Sequence, residues 1–190
     1  MRSDSRNPTP PKGWPTDIRF LHELCYHPSI PPHVAAFLHG KDGTFYVPRP
    51  EPRAVVCTIK QISAPSHPAS GQNGLFASRK ISARTYILDY IGQVHCEDRP
   101  ESSYDLSLYR SQDGLNVGID ATFTGNEARF INDYRGIQGK PNAEFRERRT
   151  ATGELRMCVW SLAEPVKKGD EIVVSYGKAW WKARTSESTL

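Results

Sequence analysis

Proline and glycine interrupt this 190-residue chain so often that no long regular element fits between them: 15 prolines and 14 glycines are spread along its length. Proline removes a backbone donor and fixes φ, and glycine weakens the interior of any element. A bundle of long helices is therefore excluded, and short strands joined by frequent turns are expected. The length suits one domain with its own core plus an N-terminal extension.

Residues 1–15 carry Pro8, Pro10, Pro11 and Pro15 among polar residues and read as a disordered or extended tail. Residues 16–53 read as a helical or irregular flank. Within it Ile18, Leu21 and Leu24 fall at helical spacing after Thr16 as candidate cap, which predicts a short helix broken by Pro28, Pro31 and Pro32. Another turn or two is expected over 34–38, stopped by Gly40, before an extended linker over 41–52. From residue 54 the texture changes. Residues 54–62 and 86–94 predict strands. Residues 104–109 and 114–120 predict a hairpin split by Asp113 and Gly114; 143–149 and 155–162 predict another around Gly153. A short helix is expected over 126–132. Pro165 and Gly169 turn the chain into a last strand over 171–175. The pattern alone gives a β-rich α+β domain and no function.

The net charge of +4 favours approach to acidic surfaces but does not indicate direct nucleic-acid binding. The densest basic cluster, Arg146, Arg148 and Arg149, reads as the solvated face of a hairpin. Cys25, Cys57, Cys96 and Cys158 include no C-x-x-C pair, which argues against a zinc ribbon or disulfide framework and fits a reducing compartment. His22, Cys25, His27, His33 and His39 crowd the flank without zinc-ligand spacing, so no metal is expected. No apolar run approaches membrane-helix length and no signal core opens the chain, so an intracellular protein with no membrane partner is expected.

Three segments in order carry more. The first is Asn73-Gly74-Leu75-Phe76-Ala77, followed by the strand Asp89-Tyr90-Ile91-Gly92. The second is Ile119-Asp120-Ala121, then Arg129-Phe130-Ile131-Asn132-Asp133. The third is Gly169-Asp170-Glu171-Ile172-Val173-Val174-Ser175-Tyr176-Gly177. Together they resemble the SET domain of protein lysine methyltransferases, with its G-L-F-A turn, E-Y-x-G-E strand, I-D-A arm, R-F-I-N-H-S segment and final G-E-E-L-x-x-D-Y-G. The resemblance runs from Val55 to about Trp181, so residues 54–181 are expected to be the SET domain and 182–190 a C-terminal tail. It implies the SET (β-clip-type) fold: small curved sheets with a C-terminal pseudoknot, where the R-F-I-N and tyrosine segments cross.

The resemblance also implies an S-adenosyl-L-methionine-dependent enzyme acting on a lysine-bearing protein or peptide. A histone tail in the nucleus is the leading substrate; a cytoplasmic location and a non-histone target such as a ribosomal protein stay open. So does a catalytically inactive SET-like binding module. Methyl transfer needs the methyl carbon held about 3–3.5 Å from the nitrogen, in line with the leaving sulfur. The lysine must be neutral, which an apolar channel and a nearby positive charge both favour. No strong base is required. Tyrosine rings exclude water, and their hydroxyls accept hydrogen bonds from the amine.

By this resemblance Tyr176 and Tyr90 are the catalytic candidates. Gly74, Leu75, Phe76, Tyr104, Arg129, Asn132, Asp133, Tyr176 and Trp181 are the cofactor-binding ones, with Trp180 as an alternative to Trp181. Each also has an ordinary reading: Tyr176 and Tyr90 as packed strand residues, Asn132 as a helix cap, Arg129 as a surface cation, Tyr104 as a hairpin aromatic. Asp133 and Tyr134 stand where the family has histidine and serine; a backbone contact to adenine is implied for Asp133. Pro141-Asn142 matches the family's P-N pair.

Overall fold

In the computed structural model, residues 9–48 and 50–177 are described. Two short strands, β1 (Arg19–Phe20) and β2 (Cys25–Tyr26), and one helix, α1 (Pro32–Leu38), form the flank. Then come β3 (Cys57–Gln61), β4 (Asn73–Ala77), β5 (Tyr86–Asp89), β6 (Gln93–His95), β7 (Asp105–Arg110), β8 (Asn116–Asp120) and β9 (Thr124–Gly125). A 3-10 turn at Glu127–Phe130 precedes β10 (Asn132–Asp133), β11 (Ala143–Arg149), β12 (Leu155–Ser161) and β13 (Val173–Val174). They make small sheets: β2-β6-β8-β7, β11-β12-β5, β3-β4, and the two-stranded β1-β9 and β10-β13. Ile87, Val94, Val117, Ile119, Val159 and Ile172 sit fully buried where these sheets meet. Among the described residues no helix is long and apolar enough to cross a membrane.

Both expected hairpins form, β7-β8 and β11-β12. The single strand expected over 86–94 is split. A Cβ at Gly92 would lie 2.5 Å from the Asp120 carbonyl, so the chain passes too close for a side chain and turns there into a different sheet.

The helix expected around Ile18, Leu21 and Leu24 is absent; β1 and β2 stand in its place. β1 pairs in parallel with β9, and β2 with β6, so long-range backbone pairing overrides the helical spacing. Trp14, in the segment expected to be a tail, packs edge-on against Phe20 and Phe130, 4.9 and 5.5 Å away, and its indole N–H donates to the Ile18 carbonyl at 2.7 Å. The turn expected over 34–38 is α1. Pro32, predicted only to break a helix, opens this one, where its missing N–H costs nothing.

The basic cluster is not a solvated face, except at Arg146. The Arg149 guanidinium donates to the Phe37 carbonyl at 2.7 Å and the Gly153 carbonyl at 2.8 Å, and lies over the Phe37 and Tyr46 rings. It thus adds a charged donor to the Phe37 carbonyl, which also accepts the Gly40 N–H at 3.0 Å, and ties the C-terminal end of α1 to the second hairpin. Arg148 makes a two-pronged contact with Asp89, at 2.7 and 2.6 Å, and also reaches Glu51. The linear pattern could not show most of these acceptors, because Phe37, Asp89 and Glu51 are far away in the chain.

Candidate active site

β10 and β13 lie parallel, with Asn132 opposite Val173 and Asp133 opposite Val174. Two residues of ladder would hold little, and side chains do the rest. The Asn142 carboxamide donates to the Glu171 carbonyl at 2.7 Å and accepts from the Val173 N–H at 2.9 Å. The Asp133 carboxylate accepts from the Tyr176 N–H at 2.8 Å, from the Arg135 N–H at 2.9 Å and from the Arg135 guanidinium at 2.8 Å. Buried Asn126 accepts from the Ile91 N–H and donates to the Asp89 carbonyl, fixing the 3-10 turn to the residues on either side of Tyr90. Asn126, not Asn132, caps that turn.

Two cavities meet at this crossing. The first, of about 690 Å³, is walled by Pro68, Ala69, Gln72, Asn73, Phe130, Asn132, Asp133, Arg135 and Ile137. The second, of about 460 Å³, is walled by Tyr90, Leu106, Ile131, Phe145, Met157 and Ser175, with Asp105 and Ser107 at its polar side. Ser103, Tyr104, Arg129 and Tyr176 line both. Arg129 is buried rather than on the surface. Its guanidinium sits 4.1 Å above the Tyr104 ring and donates to the Ala121 carbonyl at 2.9 Å.

The two tyrosine hydroxyls are oriented alike. Tyr176 Oη donates to the Ile131 carbonyl and Tyr90 Oη to the Tyr104 carbonyl, each at 2.7 Å. With each proton committed to backbone, each hydroxyl oxygen can meet a further polar group only as an acceptor. Burial, reinforced by the neighbouring Tyr176, holds the Tyr90 phenol far above its ordinary pKa, so it stays neutral. Phe145 meets the Tyr90 ring edge-on at 5.9 Å and completes an aromatic wall.

A family model described as SET domain matches residues 72–177, more than half of the chain. The chain belongs to the SET-domain family. Its SET segment is 36% identical over 111 residues to histone-lysine N-methyltransferase set-2 of Caenorhabditis elegans, covering 54% of this chain and 7% of that one. It is 27% identical over 111 residues to histone-lysine N-methyltransferase ASHH3 of Arabidopsis thaliana, covering 55% of this chain and 29% of that one. The chain thus spans under a third of either relative. The SET fold is shared with solved structures of Chaetomium thermophilum Polycomb Repressive Complex 2. One, bound to GSK126, is 20% identical with a TM-score of 0.54, covering 72% of this chain and 18% of that one. Another, autoinhibited and bound to S-adenosylmethionine, is 20% identical with a TM-score of 0.52, covering 72% and 17%.

Within this SET domain the structure brings Tyr90, Tyr104, Arg129, Asn132, Asp133 and Tyr176 to the two cavities. Gly74, Leu75 and Phe76 do not line either one. Leu75 is fully buried in the core, and Phe76 lies under Lys60. Trp181 and Trp180 lie outside the described residues. The Asp133 carboxylate braces the tyrosine segment by accepting the Tyr176 N–H. Sequence reasoning missed Asn73, Arg135, Phe145 and Met157 as wall residues. Asn73 opens the first of the three segments without being singled out, and Arg135 lies two residues past the second, so a window two residues wider would have reached it. Phe145 and Met157 face each other's strands in the second hairpin, and only the fold aims that hairpin at the site. Among the described residues no three His, Cys, Asp or Glu side chains converge as a metal site.

Proposed function

We propose that this chain is an S-adenosylmethionine-dependent protein-lysine N-methyltransferase acting on a histone in the nucleus. The observation that carries the reading is the pair of cavities, one of mixed polar and apolar lining and one aromatic, sharing the wall Ser103, Tyr104, Arg129 and Tyr176. The relatives named as histone-lysine N-methyltransferases support the substrate class. Residues 54–181 would form the catalytic unit, with 16–53 packed on it as a flank.

The first cavity fits the cofactor chemically. Asn73, Asn132, Arg129 and Asp133 offer donors, acceptors and charge for a zwitterionic amino-acid end, and Pro68, Phe130 and Ile137 offer apolar surface for a flat ring. When bound there, S-adenosylmethionine supplies a sulfonium methyl group. The chain's own residues do the rest. Tyr90, Phe145, Leu106 and Met157 exclude water from the second cavity, so an incoming lysine is favoured as the neutral amine. The buried Arg129 cation at the shared wall favours the same form. The lysine proton leaves to solvent at the mouth, because Tyr90 stays a neutral phenol and serves as an acceptor rather than a base. The hydroxyl oxygens of Tyr90 and Tyr176 accept the amine N–H bonds and so aim its lone pair across the shared wall.

The test is calorimetry of the chain with S-adenosylmethionine, followed by a methylation assay on purified histones and on total cell extract. Binding and labelled lysine in histone are expected. Binding without transfer to any protein would leave an inactive module, labelling of non-histone protein alone would move the substrate, and no binding would end the enzyme reading.

A further inference from the structure

Asn132 does not reach the first cavity unaided. Its carboxamide nitrogen is held by two acceptors, the Glu171 Oε1 at 2.8 Å and, more weakly, the Asn73 carbonyl at 3.5 Å. That fixes which way the amide faces: nitrogen inward, oxygen left over for the cavity it lines. Glu171 is itself held from behind. Its Oε2 lies 2.9 Å from His67 Nε2, and both side chains are nearly buried, 11% and 9% exposed. The His67 tautomer is set too. Its Nδ1 accepts the Ala69 N–H at 3.0 Å, so the proton sits on Nε2 and is donated to Glu171.

Gly74 belongs to the same unit. A Cβ there would come within 2.8 Å of Glu171 Oε1 and 3.1 Å of Ile62 Cδ1. The glycine makes room for the carboxylate, which accounts for it without any contact to the cavity. His67 comes from residues 64–72, the loop whose Pro68, Ala69 and Gln72 wall the first cavity. One hydrogen bond therefore anchors a cavity wall and orients a cavity side chain.

We infer that His67 and Glu171 are positioning residues, a relay that locks Asn132 with its carbonyl oxygen toward the first cavity as an acceptor for the ammonium group of the bound cofactor. This rests on the methyltransferase reading and adds two residues to it. A carboxylate at position 132 would face Glu171 at hydrogen-bond distance, so the relay also explains why an amide is needed there.

The experiment is calorimetric titration of S-adenosylmethionine into the full chain and into His67→Ala and His67→Gln, with side-chain amide NMR of Asn132 and hydrogen exchange over residues 64–72 measured without ligand. His67→Ala is expected to weaken binding roughly tenfold, to shift the Asn132 amide signals and to lower protection of the Ala69 N–H. His67→Gln, whose amide can still donate to Glu171, is expected to restore most of the affinity. Equal affinity in the parent and His67→Ala overturns the relay alone. Equal weakening in both variants also overturns it, since a packing role would not distinguish a donor from a methyl group. A parent that takes up no S-adenosylmethionine overturns both this inference and the function proposed above, and unmoved Asn132 signals overturn the relay whatever the ligand does.

Discussion

The hairpin β11-β12 and the crossing β10-β13 are both two-stranded contacts, yet they are held in opposite ways. The hairpin is a regular antiparallel ladder running without a slip from Ala143 opposite Ser161 to Arg149 opposite Leu155. Its register comes from backbone bonds and a turn at Gly153, and several of its outward side chains touch only solvent or a near neighbour. The crossing has a two-residue ladder, and its strands are far apart in the chain. Asn132, Asp133, Asn142 and Glu171 supply with side chains what the ladder lacks, and Asn126 ties the adjoining 3-10 turn to Asp89 and Ile91. Where the backbone holds the register, an outward side chain such as Arg146 is replaceable; where side chains hold it, each one counts.

The strongest challenge to this contrast is chemical. Tyr176→Phe removes the hydroxyl that the crossing aims at the shared wall. Methyl transfer is expected to fall roughly a hundredfold while S-adenosylmethionine affinity stays within a few-fold; unchanged turnover in a single-turnover assay removes Tyr176 from its role. Next is stability. Asn126→Ala leaves the buried Ile91 N–H and Asp89 carbonyl without their partner, and a loss of about 2–3 kcal/mol is expected in urea unfolding. A loss no larger than at an exposed site would dissolve the distinction between the two regions.

A pH experiment sharpens it at a third place, the end of β8. Burial by itself would raise the Asp120 carboxyl. Hydrogen bonds from the Thr122 hydroxyl and N–H, from Arg99 and from Ser102 outweigh this and hold it below its usual 3.8. A depressed carboxyl contributes stability above the unfolded-state value, and that contribution disappears as pH falls through the lower folded value. The native chain is therefore expected to lose stability below about pH 4, with a shallower slope in Asp120→Asn. Equal slopes in acid titrations of the two proteins would show that those bonds are not felt. The smallest effect belongs to the hairpin. Arg146 is half exposed and pairs with Glu144 two residues away, so Arg146→Ala should shift unfolding by less than about 0.5 kcal/mol.

The same contrast explains how much was readable beforehand. Both hairpins, α1, the 3-10 turn and the last strand carry local signals, such as Gly153 in a tight turn or Gly169 before an apolar run. The crossing was legible only because Asn132 and Tyr176 stand in motifs with a family resemblance; no periodicity links residues so far apart. The false helix at Ile18, Leu21 and Leu24 fails for the converse reason. Three apolar residues at helical spacing are a weak preference, and β9 and β6 offered backbone partners that no local window contains. His67 lies in a proline- and serine-rich loop with no motif at all. The basic cluster misled because Asp89, Glu51 and the carbonyls ending α1 are distant in sequence.

The parallel register of β10 and β13 has one last consequence, for the order of events in folding. Each antiparallel hairpin can close on its own as soon as its two arms exist, but the pocket wall cannot exist until residues 171–177 have come back across a segment some forty positions earlier. A chain with every hairpin in place and that final pass missing would show a nearly native far-ultraviolet spectrum and lack the wall the two cavities share. Closure of that wall, rather than secondary structure, therefore marks completion of this fold.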